Sequence, residues 1–230
     1  RKTHYLMILN LSWQGEQMQT HSKDRIARVI LMIVALFFVS VSVAIAQNTN
    51  LEGRWGVGLR AGASMLTQDI ASGVDGDLGP IVSGNVMYAL ENFLLLGFNV
   101  EWETHAVNIN SIGVGDATTI SVIPFIEFRA AEMETISPYV SFGMGVNFNL
   151  FDLNDFGSAA FNKFDPPTTV ALKAGIGADY FFTQNMALNA EAGWKYNSDK
   201  IYACINFVGC GKADWKMSGA SILLGIRYFF

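Results

Sequence analysis

The chain has few charged residues, few cysteines and few histidines. Only 15% of its 230 residues are charged, against about 25% in an average soluble protein. It contains two cysteines, and His105 is the only one of its three histidines that follows residue 46. After that residue, no apolar run reaches the roughly 18 residues that a membrane-spanning helix needs. The sequence therefore indicates neither an ordinary soluble domain nor a helical membrane protein.

The N-terminal region has the form of an export signal. Met18 is a plausible start, Lys23, Arg25 and Arg28 form a basic segment, and residues 29–43 are apolar. Ala44-Ile45-Ala46 has the small-x-small form of a cleavage site. We predict a signal peptide over 18–46 and one domain over 47–230, and we assign no role to 1–17. A membrane-anchor helix over 29–46 is the alternative.

The segment after the signal peptide is acidic. Residues 47–230 contain 10 of the 15 basic residues and 18 of the 20 acidic ones, which gives a net charge of −8. A nucleic-acid-binding protein needs a basic surface. This composition therefore argues against a nucleic-acid partner.

Apolar and polar residues alternate along the segment from Val170 to Tyr196. Val170, Leu172, Ile176 and Tyr180 share one face, while Lys173, two glycines and Asp179 share the other. Strict alternation predicts a β-strand with two unlike faces. The pattern resumes at Met186 after a polar turn, so this segment predicts a hairpin.

Alternation of this kind predicts eight strands along the chain, and seven connections join them. They are alternately long and short: Thr67–Gly79, Glu91–Asn92, His105–Ala117, Glu132–Ile136, Asp152–Pro167, Thr183–Asn185 and Asn197–Asp214. Outer-membrane barrels have short periplasmic turns and long extracellular loops. We therefore predict an all-β fold, an eight-stranded antiparallel transmembrane β-barrel with both termini in the periplasm.

Aromatic residues and glycines agree with this prediction. Outward aromatics gather near the strand ends, as in the interfacial girdles of membrane barrels. Eleven glycines of the predicted strands face inward and only Gly84 faces outward. Inward glycines either relieve crowding in a narrow barrel or leave space there. Pro124 lies inside a strand, where we expect a local bulge.

Several segments resemble the small outer-membrane barrels, and most nearly the OmpW family. They are Ile123-Pro124-Phe125, Ser137–Val140, Gly143–Phe148, Gly175–Tyr180, Leu188–Glu191, Trp194–Tyr196 and Gly225–Phe230. This resemblance covers roughly Gly53 to Phe230. It implies a passage or binding site for small hydrophobic molecules. It also implies that Tyr228 and Phe230 belong to a terminal signal for the barrel-assembly machinery.

The inward face carries five residues of each charge. The basic ones are Arg60, Arg129, Lys173, Lys195 and Arg227, and the acidic ones are Glu101, Glu103, Glu127, Asp179 and Glu191. Unpaired charge in a narrow lumen is costly, so we expect internal pairing. The charges then form either a structural plug or a polar constriction in a conduit.

Position along the strands predicts where each inward residue lies. We expect Arg60, Glu127, Arg129, Asp179 and Arg227 to form a charged layer closing the periplasmic end. Toward the exterior we expect an open, partly apolar vestibule, whose inward residues include Ile81, Ile123, Gly145, Gly175, Met217 and Gly219. Eight strands exclude a wide aqueous pore, which needs about 16.

The predicted loops carry the remaining candidate sites. Cys204 and Cys210 lie in the fourth loop, and the cell exterior is oxidising, so we predict a disulfide. Asp75-Gly76-Asp77 lacks the full spacing of a calcium loop, so we expect no metal site and no cofactor. His105, at the outer rim, and nearby Ser111 could belong to a hydrolase, but no carboxylate is placed to orient the histidine.

Two functions remain in view. The first is a narrow passage or binding site for small hydrophobic molecules. The second is a structural or surface-interaction barrel with a filled lumen, whose loops meet host molecules or lipopolysaccharide. Outer-membrane lipid and lipopolysaccharide are expected partners in both cases, and an enzyme is a remote third hypothesis.

Overall fold

The computed structural model describes residues 50–70, 74–109, 112–130, 135–205 and 209–230. Within these ranges, the side chains of residues 156, 159–165, 201–210 and 212–213 are not described. Residues 1–17, the predicted signal peptide and Ser111 lie outside the described residues. No helix in the described part is long and apolar enough to cross a membrane.

Twelve strands and a six-residue helix make up the described chain. The strands are β1 (Trp55–Leu66), β2 (Val74–Gly76), β3 (Gly79–Glu91), β4 (Leu94–Ile109), β5 (Ile112–Arg129), β6 (Ile136–Leu153), β7 (Phe161–Asp165), β8 (Thr169–Phe181), β9 (Met186–Tyr196), β10 (Ser198–Ile205), β11 (Gly209–Lys216) and β12 (Gly219–Phe229). The helix spans Asp155–Ala160 and precedes β7.

Eight of these strands close into an antiparallel barrel. Its order around the ring is β4-β3-β1-β12-β9-β8-β6-β5, and β5 pairs with β4 to complete the circle. The first and last strands pair along Gly56↔Phe229 to Leu66↔Gly219. Every barrel strand therefore has two neighbours, which removes the free sheet edges that a single sheet would expose.

The two ends of the barrel differ in the length of their connections. The turn end carries the short connections 92–93 and 182–185, together with residues 50–54, Ala130, Thr135 and Phe230. The loop end carries the remaining connections, and these hold more strand than the sequence predicts. β4 and β5 continue as a paired ribbon as far as Ile109↔Ile112, and β7, β10 and β11 form a separate three-stranded sheet. The long connections predicted at His105–Ala117 and Asn197–Asp214 therefore consist largely of paired strand.

The predicted facing of the strands is confirmed. Met144 on β6 and Ile176 on β8 expose 68% and 65% of their surface on the outside, whereas Asn147 and Asp179 on the same strands are buried. Gly84 also faces outward, because a Cβ built on it would meet no atom within 4 Å.

The bulge expected at Pro124 is absent. Phe98 of β4 pairs with Pro124 in a register that does not shift there. The pairing of β5 with β6 instead stops at Val122↔Val146 and resumes in the same register at Phe125↔Gly143. Proline has no N–H to donate, so it interrupts the β5–β6 ladder without adding a residue to either strand.

Cys204 and Cys210 are register partners across β10 and β11. Their side chains lie outside the described part of the structure, so the disulfide itself stays a prediction.

Candidate functional site

The interior of the barrel, or lumen, begins at the turn end with a layer of apolar side chains. This turn-end cluster consists of Leu51, Met87, Ala89, Leu95, Phe181, Ala187 and Phe229, with Phe125 packed against it. Leu51 reaches it because residues 50–54 cross the barrel end. Its backbone N–H donates to Asn92 Oδ1 at 2.8 Å, and Gly53 N donates to the Ala89 carbonyl at 2.9 Å.

Four charged side chains form a quartet next to this cluster. Arg129 Nε donates to Glu127 Oε1 at 2.7 Å, and its terminal nitrogen pairs with Asp179. Arg227 bonds the same two acids, at 2.9 Å to Glu127 Oε2 and 3.0 Å to Asp179 Oδ2. No side chain of the quartet is more than 1% exposed. Two positive and two negative charges therefore neutralise each other in a site that is buried from bulk solvent.

Tyr139 joins this quartet to the next group of charges. Its hydroxyl donates to Glu191 Oε2 at 3.0 Å and accepts from Asn189 Nδ2 at 2.9 Å. The Arg227 guanidinium lies 4.7 Å from the centre of its ring, within the range of a cation–π contact. The sequence patterns did not single out Tyr139 or Asn189, because neither is charged.

Six further charges continue toward the loop end. In this six-charge cluster Arg60 bonds Glu191 at 2.6 Å, and Lys173 pairs with Glu191 at 2.9 Å and also with Glu101. Lys195 lies 2.8 Å from Glu103. Three cations meet three carboxylates.

Arg60 was expected in the charged layer with the quartet, and it lies in the six-charge cluster instead. Its register partner on β12 is Gly225, two residues before Arg227. Through the pairing of β1 with β12, Arg60 lies two residues farther from the turn end than Arg227 of the quartet. There its guanidinium also donates to Ser83 Oγ at 2.9 Å and Asn99 Oδ1 at 3.1 Å.

A layer of neutral polar side chains follows the charges. Ser121 donates to Asn147 Oδ1 at 2.7 Å, and Thr119 donates to Asn149 Oδ1 at 2.8 Å. Thr169 donates to Asn197 Oδ1 at 2.6 Å. These bonds join neighbours around the ring, β5 with β6 and β8 with the residue that follows β9. Asn197 Nδ2 also donates to Asn149 Oδ1 at 2.8 Å, which connects the two pairs.

His105 is buried rather than placed at the outer rim. Its Nδ1 lies 2.8 Å from the carbonyl oxygen of Asp77, which can only accept, so Nδ1 donates. Its Nε2 lies 3.0 Å from Ser64 Oγ. No carboxylate of the described residues forms an ion pair with it. Asp77 Oδ2 accepts a bond from Asn108, and no group of three potential metal ligands occurs among the described residues.

Apolar side chains close the loop end. This loop-end cluster consists of Ile70, Val107, Val114, Ala117, Trp215 and Met217, with Leu66, Val74, Ile109 and Phe151 packed against it. The open vestibule expected here is wrong. Ile81, Ile123 and Met217 are exposed by 1%, 0% and 1%, and a Cβ on Gly175 would lie 2.8 Å from Ser141 Oγ.

A small cavity lies within the lumen, beside the wall formed by β5 and β6. Its volume is about 20 Å³, and it is lined by Arg60, Asn99, Ile123, Phe125, Glu127, Ser141, Phe142, Gly143, Lys173, Glu191 and Arg227. A water molecule needs roughly 10–15 Å³ of such space. Arg60 Nε and Arg227 Nε are buried and bond no described atom. The cavity lining therefore includes two arginines that each have an unpaired Nε–H group, together with apolar side chains of β5.

Comparisons with known proteins agree with this architecture. The structure is similar to that of the outer membrane protein OprG from Pseudomonas aeruginosa, at 14% identity and a TM-score of 0.67 over 81% of this chain and 99% of that one. It is also similar to Neisserial surface protein A, at 16% identity and 0.52 over 78% and 100%. A third is outer membrane protein AlkL, at 18% identity and 0.51 over 82% and 94%.

No curated protein matches the sequence. The model of the outer membrane protein beta-barrel domain family matches residues 33–230. The chain belongs to this family of bacterial outer-membrane barrels.

Proposed function

We propose that this barrel, like the OmpW family it resembles, is a narrow passage or binding site for small hydrophobic molecules in the bacterial outer membrane. One observation carries the proposal. The small cavity lies where the β5–β6 ladder is interrupted, since its lining includes Ile123, which lies within the gap, and Phe125 and Gly143, which form the next pair of the ladder. A solute in this cavity is separated from the lipid by the part of the wall where the pairing of β5 with β6 is interrupted.

For an apolar solute, passage along the barrel axis is less favourable than a sideways exit through the wall. Members of the quartet and of the six-charge cluster line the cavity, and both groups fill the lumen around it with paired charges that apolar molecules cannot replace. Eight strands leave room for side chains or one small ligand, not for a water-filled channel. A sideways exit at the gap between Pro124 and Met144 avoids the charges.

The proposal includes an orientation and a set of partners. We place the turn end in the periplasm and the loop end outside the cell, as short turns and long connections are arranged in outer-membrane barrels. The outward side chains then meet lipid and lipopolysaccharide. Tyr228 and Phe230, which are exposed on the last strand, belong to the signal for barrel assembly.

A structural or surface-interaction barrel is the second candidate. The observation that favours it is the filled lumen, with buried apolar clusters at both ends. The sheet of β7, β10 and β11 would then supply the contact surface beyond the barrel. We propose no catalysis, because His105 is buried and its ring nitrogens are engaged by Ser64 and Asp77.

A disulfide across the gap distinguishes the two candidates. Pro124→Cys with Met144→Cys, in a Cys204→Ser/Cys210→Ser background, places two outward cysteines at the same level of β5 and β6. The test measures entry of a small apolar fluorophore into vesicles with a lipopolysaccharide outer leaflet. Cysteine at position 124 also restores the backbone N–H that proline lacks, so Pro124→Ala in the same Cys204→Ser/Cys210→Ser background is the reference. We expect oxidation to slow the barrel-dependent entry below that of the Pro124→Ala barrel and a reductant to return it to that rate.

Val122→Cys with Val146→Cys is the matched control, because these outward residues are paired in the intact ladder two positions away. Locking this pair should leave entry unchanged. Equal rates with and without the barrel would favour the structural candidate instead.

A further inference from the structure

We propose that the cavity beside Arg60 and Arg227 is a head-group site for amphiphiles whose head is a hydrogen-bond acceptor, with carboxylates preferred. The proposal rests on the proposed function and narrows its substrate class. It assigns the head group to the cavity and the apolar chain to the gap in the wall.

The first argument is the presence of unused donors. Arg60 and Arg227 are 3% and 1% exposed, and each directs its other nitrogens to an acid. Their Nε–H groups have no bond to a described atom. A buried N–H without an acceptor costs free energy, so the site favours a ligand that brings oxygen atoms.

The second argument is the sign of the charge around the cavity. Arg60, Lys173 and Arg227 line it together with two acids, Glu127 and Glu191. One positive charge is therefore in excess at this point, although the ten lumen charges sum to zero. Both acids are already paired with cations. Glu191 Oε1 accepts no hydrogen bond from a described atom, but it lies 2.9 Å from Lys173 Nζ, so an ammonium head there would meet the repulsion of that lysine.

The third argument is size. About 20 Å³ accommodates one or two oxygen atoms, since a single water needs roughly 10–15 Å³. An alkyl chain does not fit, so it has to lie elsewhere. Ile123, Phe125 and Gly143 form the apolar side of the cavity, where the β5–β6 ladder is interrupted. A chain leaving there reaches the outward face beside Met144 and the lipid.

Water is the alternative occupant that would satisfy the same donors. A site used only by resident water would show no difference between heads of opposite charge on the same chain. Comparing two such heads therefore separates an amphiphile site from a hydration site.

The experiment compares decanoate with decylammonium at pH 7.5. Binding to the full barrel in lipid nanodiscs is measured by titration calorimetry, with empty nanodiscs as the reference for partition into lipid. A hydrogen bond to a charged group is worth enough to change affinity roughly tenfold or more. We expect decanoate to bind the barrel at least about tenfold more tightly than decylammonium. Equal affinities, or no binding of either, would overturn the proposal.

Two variants locate the preference. Arg60→Gln removes one donor and leaves Glu191 paired with Lys173, while Ser141→Val narrows the cavity without changing a charge. Each should reduce the preference for decanoate at least about fivefold. Arg54→Gln is the control, since this arginine bonds backbone carbonyls at the turn end, and it should leave the preference intact. A preference that survives in both lumen variants would place the site elsewhere.

Different results would reject the head-group site and the proposed passage. Passage is tested with an uncharged fluorophore and with the disulfide between residues 124 and 144. Neither of these depends on a charged head group. If entry occurs at the gap but heads of opposite charge bind equally, the passage stands and the head-group site is rejected.

Discussion

At the scale of single residues, the lumen is stabilised by complete charge pairing. Each of its five cations lies within 3.5 Å of at least one of its five carboxylates. Most of these groups have more than one partner, as Arg227 has Glu127 and Asp179. Desolvating a charge is costly unless it is paired and hydrogen-bonded. Removal of one partner should therefore cost far more than removal of a balanced pair.

Asp179→Asn tests this in the quartet. The variant keeps the size of the side chain but leaves two arginines with one carboxylate in a buried site. We expect the free energy of unfolding, measured by urea titration in micelles with tryptophan fluorescence, to fall by about 3–5 kcal/mol. Asp199→Asn, on an exposed residue, should change it by less than about 0.5 kcal/mol.

A balanced double variant separates charge from packing in the same site. Asp179→Leu together with Arg129→Met removes one charge of each sign and keeps the apolar volume. It should recover most of the stability lost in Asp179→Asn. A loss equal to or greater than that of the single variant would mean that packing, not charge balance, dominates there.

At the scale of the strands, glycine and aromatic residues are matched across neighbouring strands. Gly56 pairs with Phe229, Gly97 with Phe125, and Gly177 with Tyr139. A Cβ on each glycine would lie between 2.5 and 2.8 Å from the partner's ring. These inward glycines therefore give space to a large ring and do not widen the lumen. The outward face, by contrast, is nearly all apolar and faces lipid.

Ile176→Arg tests the lipid-facing assignment of β8. A charged residue on the lipid face near the bilayer midplane costs about 2–4 kcal/mol, and near the interface about 0–1. We expect Ile176→Arg to lower the free energy of unfolding by the larger amount and Phe182→Arg, beside the turn end, by the smaller one. A spin label at Ser141 or Asn147 should be inaccessible to lipid-soluble quenchers, and lipid contact at either position would refute the facing.

At the scale of the whole molecule, the sequence predicts the barrel better than its contents. Alternation identified eight strands and the inward charges, because facing depends only on local period. It did not place Arg60, the vestibule or the paired ribbon of β4 and β5. Barrel strands are tilted and staggered, so residues equally far from their strand ends lie at different heights. Those heights follow from pairings between strands, such as Arg60 with Gly225, which alternation does not contain.

The same staggered packing closes the lumen in three successive places, and this governs conduction. The loop-end cluster around Trp215, the paired charges and the turn-end cluster around Leu51 each fill the cross-section. We expect no porin-sized current steps in planar bilayers, since such pores need about 16 strands. Trp215→Ala alone should not create a stable current either, because the charged groups and the turn-end cluster still block ions. Large steps from the unmodified barrel would show that its lumen opens along the axis, which would remove the reason for a sideways exit beside Pro124.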